Sequence, residues 1–347
     1  MISRLTSARV YTLAAGMVVL AMAALFLAGC GSGGGGSQLV VYTAEKDEIV
    51  RTVTELWAKR HPDIKLSVVA AGTNEIVQRL RAERQRPLGD VVWGVGAEGL
   101  SVNPELFTPY TTAETKAVDP RWLAVAKGEP WQPNNVVPMV LLYNTKLVPA
   151  SKAPKSWRDL TDPRWKGKLA YAAPDKSGSA YTQLATMLAV FGGDTPAAWK
   201  QVARVMGNSI ILQSSSKVPK GVSDGEYEVG ITYENVAGLY QTGGAPVKIV
   251  YPSDGTSITP DANALIKGAP HPREAKMFLD FLQSRDVQAR LSEKLILRTC
   301  RTDVPPPPGL PPVDDIVPAP GYEYHWGVDH WKDFVAKWQD LMLRLQQ

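Results

Sequence analysis

Two short hydroxyl-rich stretches carry the clearest chemistry in this chain of 347 residues. Asp175-Lys176-Ser177-Gly178-Ser179 runs straight into an apolar helical pattern. Its hydroxyls and the unpaired N–H groups of a first helical turn make a ready anion site. Ser177 also suits an ordinary helix cap, and the two roles are compatible. Gln213-Ser214-Ser215-Ser216-Lys217 precedes a short helix, and Lys217 supplies a point charge suited to a phosphoryl group. Standing alone, such a cluster reads equally as a solvated loop. Thr43, with Ala44 behind it, and Thr73 each follow an apolar run, at the strand ends where open α/β sheets bind ligands. Trp93 closes a third run and is either a ligand contact or core. P-loop and metalloprotease motifs are missing: there is no G-x-x-x-x-G-K-[ST] or H-E-x-x-H, and His61, His271, His325 and His330 are scattered. A hydrolytic enzyme, the rival from another class, would need carboxylates that converge only in space.

The elements that must position these residues follow from periodicity. Leu39 to Tyr42, Ile64 to Val69 and Asp90 to Trp93 are short apolar strands. Helical patterns lie between them, through Ile49, Val53, Leu56 and Trp57 and through Ile76, Val77 and Leu80. That alternation predicts a parallel sheet covered by helices. A second lobe is expected from Pro133-Asn134-Asn135 onward. Its strands are Val136–Tyr143, Lys168–Ala172, Val229–Tyr233 and Val247–Tyr251, and its helices Ser179–Phe191 and Trp199–Met206. Pro272–Leu282 is a further helix. Pro305–Pro320 is too proline-rich for regular structure and reads as a stiff surface strap. The closing stripe of Trp331, Phe334, Val335, Trp338, Leu341 and Leu345 predicts a helix docked on the first lobe.

Arg4 and Arg9, then an apolar run from Val10 to Leu27, then Leu27-Ala28-Gly29-Cys30 resemble a bacterial lipoprotein signal. Residues 1–29 would be removed and Cys30 lipidated, leaving residues 30–37 as a flexible Gly/Ser tether. An uncleaved membrane anchor is the alternative, since the run approaches the roughly 20 residues that span a bilayer. On either reading the globular part lies outside the cytoplasm. Without residues 1–29 the formal charge falls from +4 to +2, which gives no electrostatic case for nucleic acid. Cys300 is then the only other cysteine, so no intrachain disulfide forms, and it reads as a small buried apolar residue.

In order and spacing, several stretches resemble a family of two-lobed extracytoplasmic receptors for ABC importers, which includes ferric-iron, 2-aminoethylphosphonate and sugar-phosphate binders. They are Val41-Tyr42-Thr43-Ala44, Asp90-Val91-Val92-Trp93-Gly94, Tyr143-Asn144-Thr145, the run from Ser156 to Lys168, Gly225-Glu226 through Gly230 to Asn235, and Val250 to Gly255. The resemblance covers about residues 39–300. It implies an α/β, type 2 periplasmic-binding fold, with lobe 1 at 38–135 plus 252–347 and lobe 2 at 136–251. Two crossover strands join them and a ligand cleft lies between. The implied partners are a permease, its ATPase, the membrane through the lipid, and a small anionic solute bound by a monomer without a cofactor. Ferric-binding members carry adjacent tyrosines where this chain has Thr232-Tyr233-Glu234-Asn235, so the ligand is expected to be an organic anion such as 2-aminoethylphosphonate. Tyr233 and Glu234 would be ligands in the ferric alternative. Otherwise Tyr233 packs beside the solute and Glu234 neutralises an ammonium. Gly94-Val95-Gly96-Ala97-Glu98-Gly99 matches the dinucleotide fingerprint but follows the third strand. It is therefore read as a loop at the cleft edge.

Overall fold

The computed structural model describes residues 37–346. The signal segment, Cys30 and the tether before Ser37 lie outside them. The first elements alternate as β1 (Ser37–Thr43), α1 (Asp47–Arg60), β2 (Ile64–Ala70), α2 (Thr73–Glu83) and β3 (Val91–Gly96). α1 buries Ile49, Val53 and Trp57 on one face. Asp47 and Glu48 stand in its first turn and Lys59 and Arg60 in its last, where the helix dipole favours each sign. β1 pairs parallel with β3. After the five-residue α3 (Ala97–Ser101), β4 (Phe107–Thr108) and α4 (Pro120–Val125), the chain enters β5 (Trp131–Asn144).

β5 is shared by both lobes. Its first half, to Pro138, runs antiparallel to β10 (Ile258–Ile266), which pairs in turn with β3. Its second half, from Met139, pairs with β8 (Val229–Tyr233) and β9 (Val247–Val250). β8 continues through β6 (Leu169–Ala172) to β7 (Ser209–Leu212) in parallel register. β5 is thus one crossover, and the stretch from β9 to β10 is the other. The two are bonded where they change lobe: Met139 N donates to Ser257 O (3.0 Å) and Thr256 Oγ1 to Met139 O (2.6 Å). The result is two α/β lobes joined by two crossing segments.

Pro133-Asn134-Asn135 lies inside β5 rather than before it. Proline is tolerated there because the β5–β10 register shifts beside Asp261 and Ala262. The asparagines are buried but paired: Asn263 donates to Asn134 (3.0 Å), Asn134 to Asn135 (2.8 Å), and Asn135 to Asp261 (3.1 Å).

The second lobe carries α5 (Gly178–Phe191), α6 (Pro196–Asn208), α7 (Lys217–Asp224) and α8 (Glu234–Thr242). Then come α9 (Pro272–Gln283) and α10 (Arg285–Leu295), whose apolar faces join the first-lobe core around Trp57 and Trp93. The chain closes with α11 (Tyr324–Asp329) and α12 (Trp331–Leu345). The expectation that this last helix docks on the first lobe is corrected: Phe334, Trp338 and Leu341 join the core cluster of α5 and α6. The second lobe has the matching surface. Trp199 meets Phe334 edge-on at 6.1 Å, Trp338 Nε1 reaches Met206 Sδ (3.3 Å), and Lys337 pairs with Asp194 (2.7 Å). α11 instead packs on α3, with Tyr324 OH 2.9 Å from Ser101 Oγ. The proline-rich strap holds a crossover, as Thr256 N donates to Val317 O and Ala319 N to Thr256 O (both 2.9 Å).

Candidate functional site

A cavity of about 1200 Å³ lies between the lobes. Among its lining residues are Lys46, Gly72, Ser177, Ser216 and Tyr233, the cap residues of α1, α2, α5, α7 and α8. Five helices therefore begin at its wall, because strands deliver the chain there at their carboxyl ends. Only α5 has a side-chain cap, Ser177 Oγ accepting from Ala180 N at 3.4 Å. The other four start with no side-chain acceptor for their first N–H groups. Converging helix N-termini present N–H donors and positive dipole ends to whatever occupies the space.

The lobes meet at one edge of this cavity. A Cβ on Gly178 would stand 2.8 Å from Thr73 Oγ1, and one on Gly72 would stand 3.0 Å from Lys176 O. Asn74 Nδ2 donates to Asp175 O across the same junction (2.8 Å). The starts of α2 and α5 are thus pressed together, with Ser177 and Ser179 hydroxyls 3.1 Å apart beside them.

Of the expected site residues, Ala44, Thr73, Ser177, Gly178, Ser179, Ser215, Ser216 and Tyr233 line the cavity. Four do not. Thr43 is buried and its Oγ1 accepts from Glu45 N (3.1 Å). Trp93 is core, edge-on to Phe278 at 6.1 Å. Lys217 opens α7 without facing the cavity. Glu234 is turned away and fully partnered. Arg298 grips it with two bonds (2.7 and 3.0 Å) and Tyr251 OH donates a third (2.6 Å). Both carboxylate oxygens are thus engaged, and Glu234 does not line the cavity where an ammonium or iron would sit.

Seven acids line the cavity: Asp47, Glu48 and Glu75 are exposed, Asp175 is half-buried, and Glu45, Glu98 and Asp261 lie near the floor with Lys46 beside them. Burial raises the Glu45 carboxyl well above the usual range, and the charge of Asp261 adds to it. Burial also raises Asp261, against the Asn135 hydrogen bond and Lys46. Glu98 is pushed up to about 7 by burial, opposed by bonds from Thr182 Oγ1 (3.0 Å) and Tyr322 OH (3.2 Å). Lys46 holds its ammonium 5.9 Å from the centroid of the Tyr233 ring, and Tyr233 is the main cause of its raised basicity.

These four residues were legible only in part. Glu45 and Lys46 directly follow β1, where the strand-end rule points, one step beyond Thr43 and Ala44. Asp261 is a lone charge in an apolar strand. Glu98 sits inside the glycine fingerprint, which is not a loop: Gly94 and Gly96 end β3 and Ala97 starts α3. Among the described residues no three His, Cys, Asp or Glu side chains are grouped to hold a metal ion, and no helix is long and apolar enough to cross a membrane.

Residues 94–298 match the model of a family described as bacterial extracellular solute-binding protein. A periplasmic protein of Salmonella typhi, provisionally named as 2-aminoethylphosphonate-binding, is 30% identical over 258 residues, covering 70% of this chain and 72% of its own. The periplasmic binding protein AfuA of Actinobacillus pleuropneumoniae, solved with fructose-6-phosphate bound, superposes with a TM-score of 0.82 at 25% identity, covering 88% of this chain and 98% of its own. Iron-bound HitA of Pseudomonas aeruginosa has the same fold, with a TM-score of 0.76 at 20% identity over 88% of this chain and 99% of its own.

Proposed function

The chain belongs to the bacterial extracellular solute-binding proteins, and from that premise we propose that it is the receptor of an ABC importer for a small organic anion, a phosphonate or organophosphate such as 2-aminoethylphosphonate. The observation that carries the anion is the convergence of five helix N-termini on one cavity, four of them without a side-chain cap. The hydroxyls of Thr73, Ser177, Ser179, Ser215 and Ser216 line the same space and suit phosphoryl oxygens. A ligand touching both lobes stabilises the closed arrangement, and the permease reads that arrangement. Cys30 is the lipid anchor that keeps the receptor beside its transporter outside the cytoplasm. We set the lobe boundaries where β5 and the β9–β10 segment change partners, near Pro138 and Ser257, a few residues beyond the expected ends at 135 and 251.

Iron is disfavoured because Tyr233 lacks the adjacent tyrosine in sequence that ferric-binding members carry and Glu234 is taken by Arg298. A phosphorylated sugar is the second reading, favoured by a cavity of about 1200 Å³, ample for a hexose phosphate. Thermal melting and calorimetry on ligand-stripped protein test the proposal. At a hundredfold excess over Kd, 2-aminoethylphosphonate should stabilise by about 2.7 kcal/mol, and Fe³⁺ should not. Stoichiometric ferric binding with a coloured tyrosinate band would sink it.

A further inference from the structure

The acids at the floor of the cleft differ from those of its walls, Asp47, Glu48, Glu75 and Asp175, in being drawn away from solvent. Glu45, Glu98 and Asp261 come from the end of β1, from α3 and from β10, so the fold gathers three carboxyls from distant parts of the chain. The strand between them makes room. A Cβ on Gly94, which sits at φ +60°, would stand 2.3 Å from Glu45 Oε1. A Cβ on Gly96 would have Glu98 Oε2 at 3.8 Å and Asp261 Oδ1 at 4.0 Å. Glu98 is engaged by Thr182 and Tyr322, and Asp261 by Asn135. Glu45 is 9% exposed and its Oε1 has no partner. A second orphan lines the cavity independently of the acids: Asn235, 6% exposed, leaves Oδ1 unpaired. Buried polar atoms are almost always paired, so two unpaired acceptors in one cleft ask for a donor.

The groups facing Glu45 are Asp261, which raises its proton affinity, and Lys46, which lowers it. Lys46 directs its ammonium at Tyr233, and among the described residues none of the three acids has an ion-pair partner. A hydroxyl has one proton to give and leaves the mutual repulsion of the carboxyls in place. An ammonium offers three donors and a charge that relieves it.

We infer that Glu45 and Asp261 form a cation-reading floor, so that the ligand is a zwitterion whose primary ammonium sits on them while its anionic head meets the helix N-termini. This rests on the anion reading above and narrows it to amine-bearing phosphonates or phosphates.

The test is calorimetry on ligand-stripped full chain with 2-aminoethylphosphonate, ethylphosphonate and fructose 6-phosphate, for the wild type, Glu45→Gln and Asp261→Asn. The wild type should bind 2-aminoethylphosphonate about 10–100-fold more tightly than ethylphosphonate, the range expected of a charged hydrogen bond. Either variant should bring that ratio within about threefold, chiefly by weakening the amine-bearing ligand. Melting curves serve as the folding control, and both variants should melt no lower than the wild type because each removes one of two desolvated, mutually repelling carboxyls that have no ion-pair partner, and Asn at 261 can still accept from Asn135. A ratio unchanged by both variants, or fructose 6-phosphate binding more tightly than 2-aminoethylphosphonate, overturns the cation floor and leaves the anion reading intact. No heat from any of the three overturns the anion reading itself.

Discussion

Glu234→Ala separates a ligand contact from a structural one. In the sequence this acid is the natural partner for an ammonium; in the structure it is half of a buried ion pair. Its side chain is 1% exposed and that of Arg298 4%. Two Arg298 bonds and the Tyr251 hydroxyl account for its carboxylate. Removing it strands the Arg298 guanidinium among buried groups, with the Pro311 carbonyl as its remaining acceptor. Breaking one side of a buried pair costs about 3–5 kcal/mol. With about 2.1 cal/mol/K of unfolding entropy per residue over the 310 described residues, that is a fall in Tm of about 5–8 °C. Adding Arg298→Met should restore part of it, because the charge left without a partner is then gone. The assay is scanning calorimetry of ligand-free protein, followed by titration of the variant with 2-aminoethylphosphonate and with inorganic phosphate. The ratio of the two affinities should stay as in the wild type. A Tm within 1 °C of wild type, with a selective loss of about tenfold or more for the amine-bearing ligand, would refute the structural role.

Glu98 makes stability depend on pH. Its folded pKa of about 7 exceeds its ordinary value of 4.5, so its favourable share is present below pH 4.5 and lost as pH rises through 7. Ligand-free protein should therefore melt higher at pH 5.5 than at pH 7.5, by about 2 kcal/mol from Glu98 alone. Glu98→Gln should flatten that slope, and an unchanged slope would place the titration elsewhere. Gly94→Ala should destabilise by about 1–3 kcal/mol, since it adds a Cβ at φ +60° and 2.3 Å from Glu45 Oε1. Gly96→Ala meets only ordinary contacts and should melt normally while weakening ligand, so equal melting losses would contradict the geometry. Gly178→Ala places a methyl 2.8 Å from Thr73 Oγ1 across the lobe junction. It should cut ligand affinity about tenfold while leaving the Tm of ligand-free protein within about 1 °C, because it opposes closure rather than folding of either lobe. An unaltered affinity measured by titration would show that the lobes need not meet there.

The fold was legible where one physical signal dominated. Ile49, Val53 and Trp57 at four-residue spacing fixed α1, and the apolar run after Val136 fixed the heart of β5. The family stretches were legible because they fasten the fold. Trp157 Nε1 donates to Gly255 O (2.9 Å) and Trp157 N to Asp254 Oδ1 (3.0 Å), so two of the recognised runs hold each other. The docking of α12 was not legible. Its stripe specifies that a face must be buried, whereas the partner depends on which lobe exposes an apolar surface after all other helices have packed. For the cavity lining, the strand-end rule pointed to Ala44 and Thr73, and the hydroxyl-rich helix start to the Ser177 turn. The family resemblance misled at Glu234, which follows a strand but has Arg298, distant in sequence, waiting for it.

The glycine fingerprint carries this distinction furthest. Glycine in such a motif says only that something approaches the backbone too closely for a Cβ. In a dinucleotide fold that something is a pyrophosphate; here it is the protein's own side chains. Glu45 presses on Gly94, Glu98 and Asp261 stand over Gly96, and Thr73 Cγ2 would lie 2.6 Å from a Cβ on Gly99. All four approaching residues line the ligand cavity. The motif therefore marked the right place for the wrong chemistry. Its spacing sets where backbone is laid bare, and residues up to 167 positions further along decide what uses the room.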